Sequence, residues 1–106
     1  MDLDQSDLQF ITDRVGDHHV VWVTGDIDIS TASALGAYLS AALTQDGKDL
    51  VVDLSGVTFM DASGLAALLR ADHHATRTGG RLKLAAPAPV ITRLLTITGL
   101  TNHFAI

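Results

Sequence analysis

From Leu8 to Val15, and again from His19 to Thr24, the chain runs through apolar and β-branched residues, and the intervening pair Gly16-Asp17 suits a tight reversal. The pattern predicts an opening hairpin. Beyond Gly25 the character changes. After the polar stretch DIDIST, Ala32, Leu35, Leu39, Ala42 and Leu43 recur at helical spacing, with Ser30 or Thr31 placed to cap the first turn and Asp46-Gly47 to stop the helix. Leu50 to Leu54 is a short apolar run between polar residues, as expected of a central strand covered on both faces.

The stretch VVDLSGVTFMDASGL, residues 51–65, begins as that strand and ends as the opening of a second helix, with a small polar turn between. Leu65, Leu68, Leu69 and Ala75 form the apolar side of this helix, Arg70, His73, His74 and Arg77 the other side, and Gly79-Gly80 its end. Arg81 to Ala85 alternates as a fourth strand. Pro87 and Pro89 introduce a third helix whose Val90, Leu94 and Ile97 share a stripe and whose end is marked by Gly99. His103 to Ile106 is expected to close the chain as a short last strand. The order ββαβαβα(β), with no internal repeat or linker, implies strands joined by helical crossovers: an α/β layer with a mixed sheet of four or five strands and three or more helices, in one domain over residues 1–106.

Composition narrows the chemistry. The formal charge is −5, and the seven Lys and Arg residues are scattered, so no basic stripe is available to neutralise phosphates and nucleic acid is not an expected partner. Without cysteine there is no disulfide and no thiolate chemistry. The acidic start MDLDQSDLQF lacks the basic and apolar regions of a signal peptide, and no apolar run reaches the ~20 residues of a membrane span; a soluble cytoplasmic protein without membrane association is expected. All twelve acidic residues are aspartate, which removes chemistry built on glutamate, such as an HExxH zinc site or the last ligand of an EF-hand loop.

The remaining candidates each have a plain structural reading. His18 and His19, adjacent on a strand, point to opposite faces, and His73 and His74 diverge by about 100° on a helix, so neither pair grips one metal and no metal site or cofactor is expected. DASGL lacks both glycines of the nucleophile elbow G-x-S-x-G, and no phosphate loop GxxxxGK[ST] occurs. Asp26 and Asp28 are similar to the paired aspartates of haloacid-dehalogenase-type phosphatases, but a turn that starts the first helix is the favoured reading. Ser63 reads first as a helix N-cap, worth ~1 kcal/mol. A helix N-terminus is also a place where a phosphoryl group is tolerated, because free amides and the helix dipole favour an anion.

LVVDLSGVTFMDASGLAALL, with GDIDISTA upstream and VITRLLTITGLTNHFAI at the end, resembles the STAS domain in its anti-sigma factor antagonist form over nearly the whole chain. The resemblance implies a partner-switching module and not an enzyme. The serine before the glycine, here Ser63, is the phosphoacceptor of a partner that is both anti-sigma factor and serine kinase. Ala62 occupies the preceding place, so Ser63 is the sole hydroxyl of the turn. Asp61 matches the aspartate of the serine motif and Asp28 the family's upstream acidic position. Unmodified, such a protein binds the kinase and frees a sigma factor; phosphorylated, it lets go, and a PP2C-type phosphatase resets it. ATP and catalytic groups then sit on the partner.

The implied docking face comprises Asp28, Met60, Asp61, Ala62, Ser63 and Gly64, with Gly64 permitting close backbone approach and Met60 and Leu65 offering apolar contact, Leu65 being at least as well suited to core packing. Arg70, His73 and Arg77 read as a solvated face rather than an interface rim. Phosphorylation adds about −1.5 to −2 charge beside Asp61, enough with steric bulk for a roughly tenfold to several hundredfold loss of affinity. The alternative within the same fold is a non-phosphorylated STAS subunit of a scaffold or lipid-transport complex.

Overall fold

The computed structural model describes residues 8–16, 18–46 and 49–104. Seven elements follow one another: β1 (Gln9–Val15), β2 (His18–Ile27), α1 (Ala32–Asp46), β3 (Leu50–Met60), α2 (Ala62–Arg77), β4 (Leu82–Ala85) and α3 (Pro89–Thr98). The sheet has the order β1-β2-β3-β4; β1 runs antiparallel to β2, and β2, β3 and β4 are parallel. Fold class, element order and the mixed four-stranded sheet are as the sequence predicts. No helix among the described residues is long and apolar enough to cross a membrane.

Register shows why the sheet is one-sided. Val21 of β2 pairs with Val52 of β3, which pairs with Leu84 of β4, and all three are buried on the face that carries the helices. Phe10 of β1 lies on the same face opposite Val23, its ring stacked on Tyr38 of α1 at 4.3 Å, and the Thr12 hydroxyl is hydrogen-bonded to the Tyr38 phenol. The other face is the register row of Ile11, Trp22 and Asp53 beside the row of Asp13, Val20, Val51 and Lys83. Ile11 is 65% exposed there. The expectation that the central strand is covered on both faces is therefore corrected: helices cover one face, and the alternation of buried with half-buried or exposed residues along β3 and β4 records it.

β2 and β3 also run further than the apolar pattern suggests, to Ile27 and Met60. Trp22 pairs with Asp53 and Thr24 with Gly56; Gly25 pairs with Val57 and Asp26 with Phe59, so β3 inserts an extra residue twice. Each insertion shifts the parity, and Leu54, Val57 and Met60 point inward while Ser55, Thr58 and Phe59 do not. A period of three hides a strand from a test for alternation. Gly56 allows this: a Cβ there would lie 2.9 Å from Thr24 Oγ1 and 3.2 Å from the Val23 carbonyl oxygen.

At the chain's end two expectations change. α3 buries Ile91 and Leu95, with Val90 and Leu94 packed partly against the core, whereas Ile97 is 73% exposed; the inward stripe is turned by one residue from the one through Ile97. Residues 101–103 form a turn where the start of a last strand was expected, and Phe104 is buried; residues 105 and 106 of that strand lie outside the described residues, as do Asp17 and Gly47 of the two turn pairs. Replacing Ile91 by Ala is expected to lower unfolding stability by about 2–5 kcal/mol, and Ile97→Ala by less than ~0.5 kcal/mol, as read from urea unfolding curves.

Candidate functional site

β2 and β3 are adjacent and parallel, so their carboxyl ends lie side by side, and the loops leading to α1 and α2 emerge at one edge of the sheet. A bond from the Asp61 amide to the Ile27 carbonyl, 3.2 Å, ties the two exits together. A second tie comes from the Thr58 hydroxyl to the Asp26 carboxylate at 2.5 Å. Asp28, Asp61, Ala62 and Ser63 all lie at this edge, brought together from two loops distant in sequence.

The N-cap of α2 is Asp61, not Ser63. Asp61 has extended backbone angles (φ −115°, ψ −171°), and its carboxylate accepts the amides of Ser63 (2.9 Å) and Gly64 (3.4 Å). An aspartate already occupies the capping position, so Ser63 falls in the first helical turn. Its hydroxyl donates to Asp61 at 2.5 Å, and the residue is half-buried while Ala62 is exposed. The Ser63 hydroxyl holds the Asp61 carboxyl below its ordinary range, with the two amides adding to the effect and partial burial and the charge of Asp28 opposing it.

Asp28 is arranged in a similar way. Its carboxylate accepts the Ser30 hydroxyl at 2.6 Å and the Ser30 amide at 2.9 Å, chiefly the former lowering its pKa. The Thr31 hydroxyl accepts the Asp28 amide at 2.9 Å and donates to the Asp26 carbonyl at 2.9 Å, closing the turn into α1. Thr31 thus ties the loop rather than capping the helix amides. Asp26 and Asp28 are both engaged in fastening loops. Among the described residues, no three His or Asp side chains are grouped to hold a metal ion.

Two members of the expected docking face belong to the interior. Met60 is 4% exposed, and Gly64 is buried, with an added Cβ lying 2.5 Å from Ile27 Cγ2 and 2.9 Å from Met60 Cγ. Gly64 therefore serves the approach of α2 to its own strands, not that of another protein, and the expected apolar contact from Met60 is corrected to core packing. Leu65, 5% exposed, also belongs to the core. The exposed apolar groups at this edge are instead Ile29, 84% exposed in the loop after β2, and Phe59, 45% exposed near the end of β3. Sequence reasoning passed over both. The available signal was an isoleucine inside an otherwise polar turn; for Phe59 the inserted residues concealed the facing.

Residues 10–105 match the family model described as "Mlab, STAS domain". The anti-sigma-B factor antagonist of Bacillus subtilis is 35% identical over 80 residues, spanning 76% of this chain and 72% of that protein. The protein of the same description in Listeria monocytogenes is 32% identical over 92 residues, 87% of this chain and 81% of the relative. An anti-sigma factor antagonist from Mycobacterium paratuberculosis, known as a crystal structure, superposes with a TM-score of 0.81 at 30% identity, covering 96% of this chain and 87% of that one.

Two outcomes test the geometry. Gly64→Ala should destabilise the fold by about 1–3 kcal/mol, measured by urea unfolding, because Ile27 and Met60 must move. Since Asp61 is more acidic in the folded chain, its ionised form supports the fold fully above about pH 4, and the support fades as pH falls through the lower folded value. Asp61→Ala should lower the melting temperature by roughly 4–8 °C at pH 7, with a difference from wild type that shrinks as pH falls below about 4. Asp61→Asn, which still accepts the amide bonds, should lose less at pH 7.

Proposed function

This chain belongs to the STAS-domain family, and from that premise we propose that it is an anti-sigma factor antagonist whose docking centre is the mouth of α2 and whose switch is phosphorylation of Ser63. The observation that carries the reading is a half-buried serine hydroxyl held by Asp61, at an edge where Ile29 and Phe59 stand out from the surface. Hydroxyl and apolar groups together suit a protein partner that reaches the oxygen while covering its surroundings. The chain acts as binder and substrate; the partner, an anti-sigma factor with serine-kinase activity, brings ATP. A cytoplasmic location follows from that partnership.

In the transfer step the Ser63 oxygen attacks the γ-phosphorus of ATP, the bond to the bridging oxygen breaks, ADP leaves, and the hydroxyl proton departs to a base. Asp61 holds that proton before the reaction, which fixes the hydroxyl's direction and turns its lone pairs away from the carboxylate. Asp61 serves as an orienting group, and the base that takes the proton is supplied by the kinase. The product carries about −1.5 to −2 charge beside an ionised Asp61. The helix N-terminus offsets part of this repulsion locally. A partner that must desolvate the same spot gains no such offset, and binding is lost while the fold persists. A PP2C-type phosphatase restores the hydroxyl by hydrolysis.

The test is to incubate the protein and ATP with each kinase-type anti-sigma factor of the same genome and to map phosphate by mass spectrometry. Ser30 and Ser55, each bonded to the aspartate two residues earlier just as Ser63 is, serve as internal controls and should remain unmodified. Ser63→Ala should abolish modification and retain binding, and Ser63→Asp should weaken binding by roughly tenfold or more. Ile29→Ala should weaken binding by a similar factor with an unchanged urea midpoint. Binding without phosphate transfer would place the chain instead among the non-phosphorylated STAS subunits of scaffold or lipid-transport complexes.

A further inference from the structure

On the exposed side of α2, Arg70, His73, His74 and Arg77 follow one another at helical spacings of three, one and three residues. Arg70, His73 and Arg77 are exposed and His74 is half-buried. With Leu69 they line a shallow cavity of about 410 Å³. Arg70 and His74 also border an adjoining groove of about 380 Å³ between α2 and the small side chains of α1. In a chain of net charge −5, this one helix face holds two of seven strong bases and two of five histidines.

What the patch lacks is a counter-charge. No carboxylate of the described residues pairs with Arg70 or Arg77. The one carboxylate in this half of α2, Asp72, is buried and lies 3.4 Å from His103. Residues 32–45 of α1, across the groove, contain no charged side chain at all. Among the described residues, the positive potential of the stripe is therefore not neutralised. Its direction is set by the helix: Ser63, Arg70 and Arg77 are seven residues apart, two turns short of full by only ~20°, so they lie on one stripe about 10 Å and 21 Å along from the serine.

We propose that this stripe is a second anchor for the partner that docks at Ser63, and that it receives an acidic segment of that partner's surface. The inference rests on the docking reading above and adds the chemistry the partner must present: carboxylates spaced along a helix or strand, with an apolar group over Leu69. The stripe orients the partner so that its reactive site meets Ser63 and rejects partners with a basic surface in that place. The sequence alone favours a solvated face here; the unpaired guanidiniums, the hollow between them and their alignment with Ser63 favour the anchor.

The test uses the whole chain, with fold checked by circular dichroism, as wild type, Arg70→Glu/Arg77→Glu, the milder Arg70→Gln/Arg77→Gln, and Ser63→Asp. Affinity for the anti-sigma factor is measured by calorimetry at low and moderate salt, and separately for a synthetic helical peptide with glutamates on one face. Charge reversal should weaken both interactions roughly tenfold or more and flatten their salt dependence; the glutamine pair should do so less. The anchor is overturned if reversal leaves affinity and salt slope unchanged. It is also overturned if anionic phosphatidylglycerol vesicles or duplex DNA bind better than the peptide, or if the stripe proves to mediate self-association in sedimentation runs. If Ser63→Asp weakens partner binding but reversal does not, the switch stands and the anchor falls. If no anti-sigma factor binds at all, the docking reading falls and the peptide arm alone decides the stripe.

Discussion

The N-terminus of α2 sits so close to the ends of β2 and β3 that no side chain fits at position 64, and the rest of the site depends on that approach. A methyl group there would run into Ile27 and Met60. With only a hydrogen in the way, the first turn of α2 settles against the strand ends, and the Asp61 amide reaches the Ile27 carbonyl. Two loops far apart in sequence then share one edge. The capping aspartate, the serine and the β2–α1 turn share one edge because β2 and β3 pair in parallel, and the packing of Gly64 against Ile27 and Met60 brings the mouth of α2 down onto that edge.

Onto that frame is built a small electrostatic device. Asp61 answers the amides that the start of a helix leaves unpaired and in the same geometry holds the Ser63 hydroxyl. Capping and orientation of that hydroxyl are one arrangement. The edge already carries Asp26, Asp28 and Asp61, the latter two made more acidic by their serine neighbours. The phosphoryl group proposed for Ser63 would add to a surface that is negative beforehand, so repulsion would be available without a change of fold. Further along α2 the sign reverses at Arg70 and Arg77, so the helix presents a dipolar surface.

Much of this was legible in the sequence because its cues are local. Apolar spacing specifies α1 and the buried side of α2, the β-branched runs specify the cores of the strands, and proline and glycine mark the limits of α3. The D-A-S-G block singled out the serine that the structure places at a helix mouth. What was misread involved more than one element. The two inserted residues of β3 matter only against the register of β2, so Thr58 and Phe59 looked like part of a turn. The stripe of α3 depends on which way that helix rolls against β3, and Ile97 turned outward.

The residues by themselves determined the α/β class, the order of the elements and the lone serine at the opening of α2, since periodicity, punctuation and the D-A-S-G block are written in neighbouring positions. Tertiary structure alone decided that Gly64 and Met60 face inward, that Ile29 and Phe59 face outward, and that the guanidiniums of α2 have no carboxylate partner among the described residues. Each of these depends on a distance between segments remote in the chain, and such distances come into being only when a helix is pressed against a sheet.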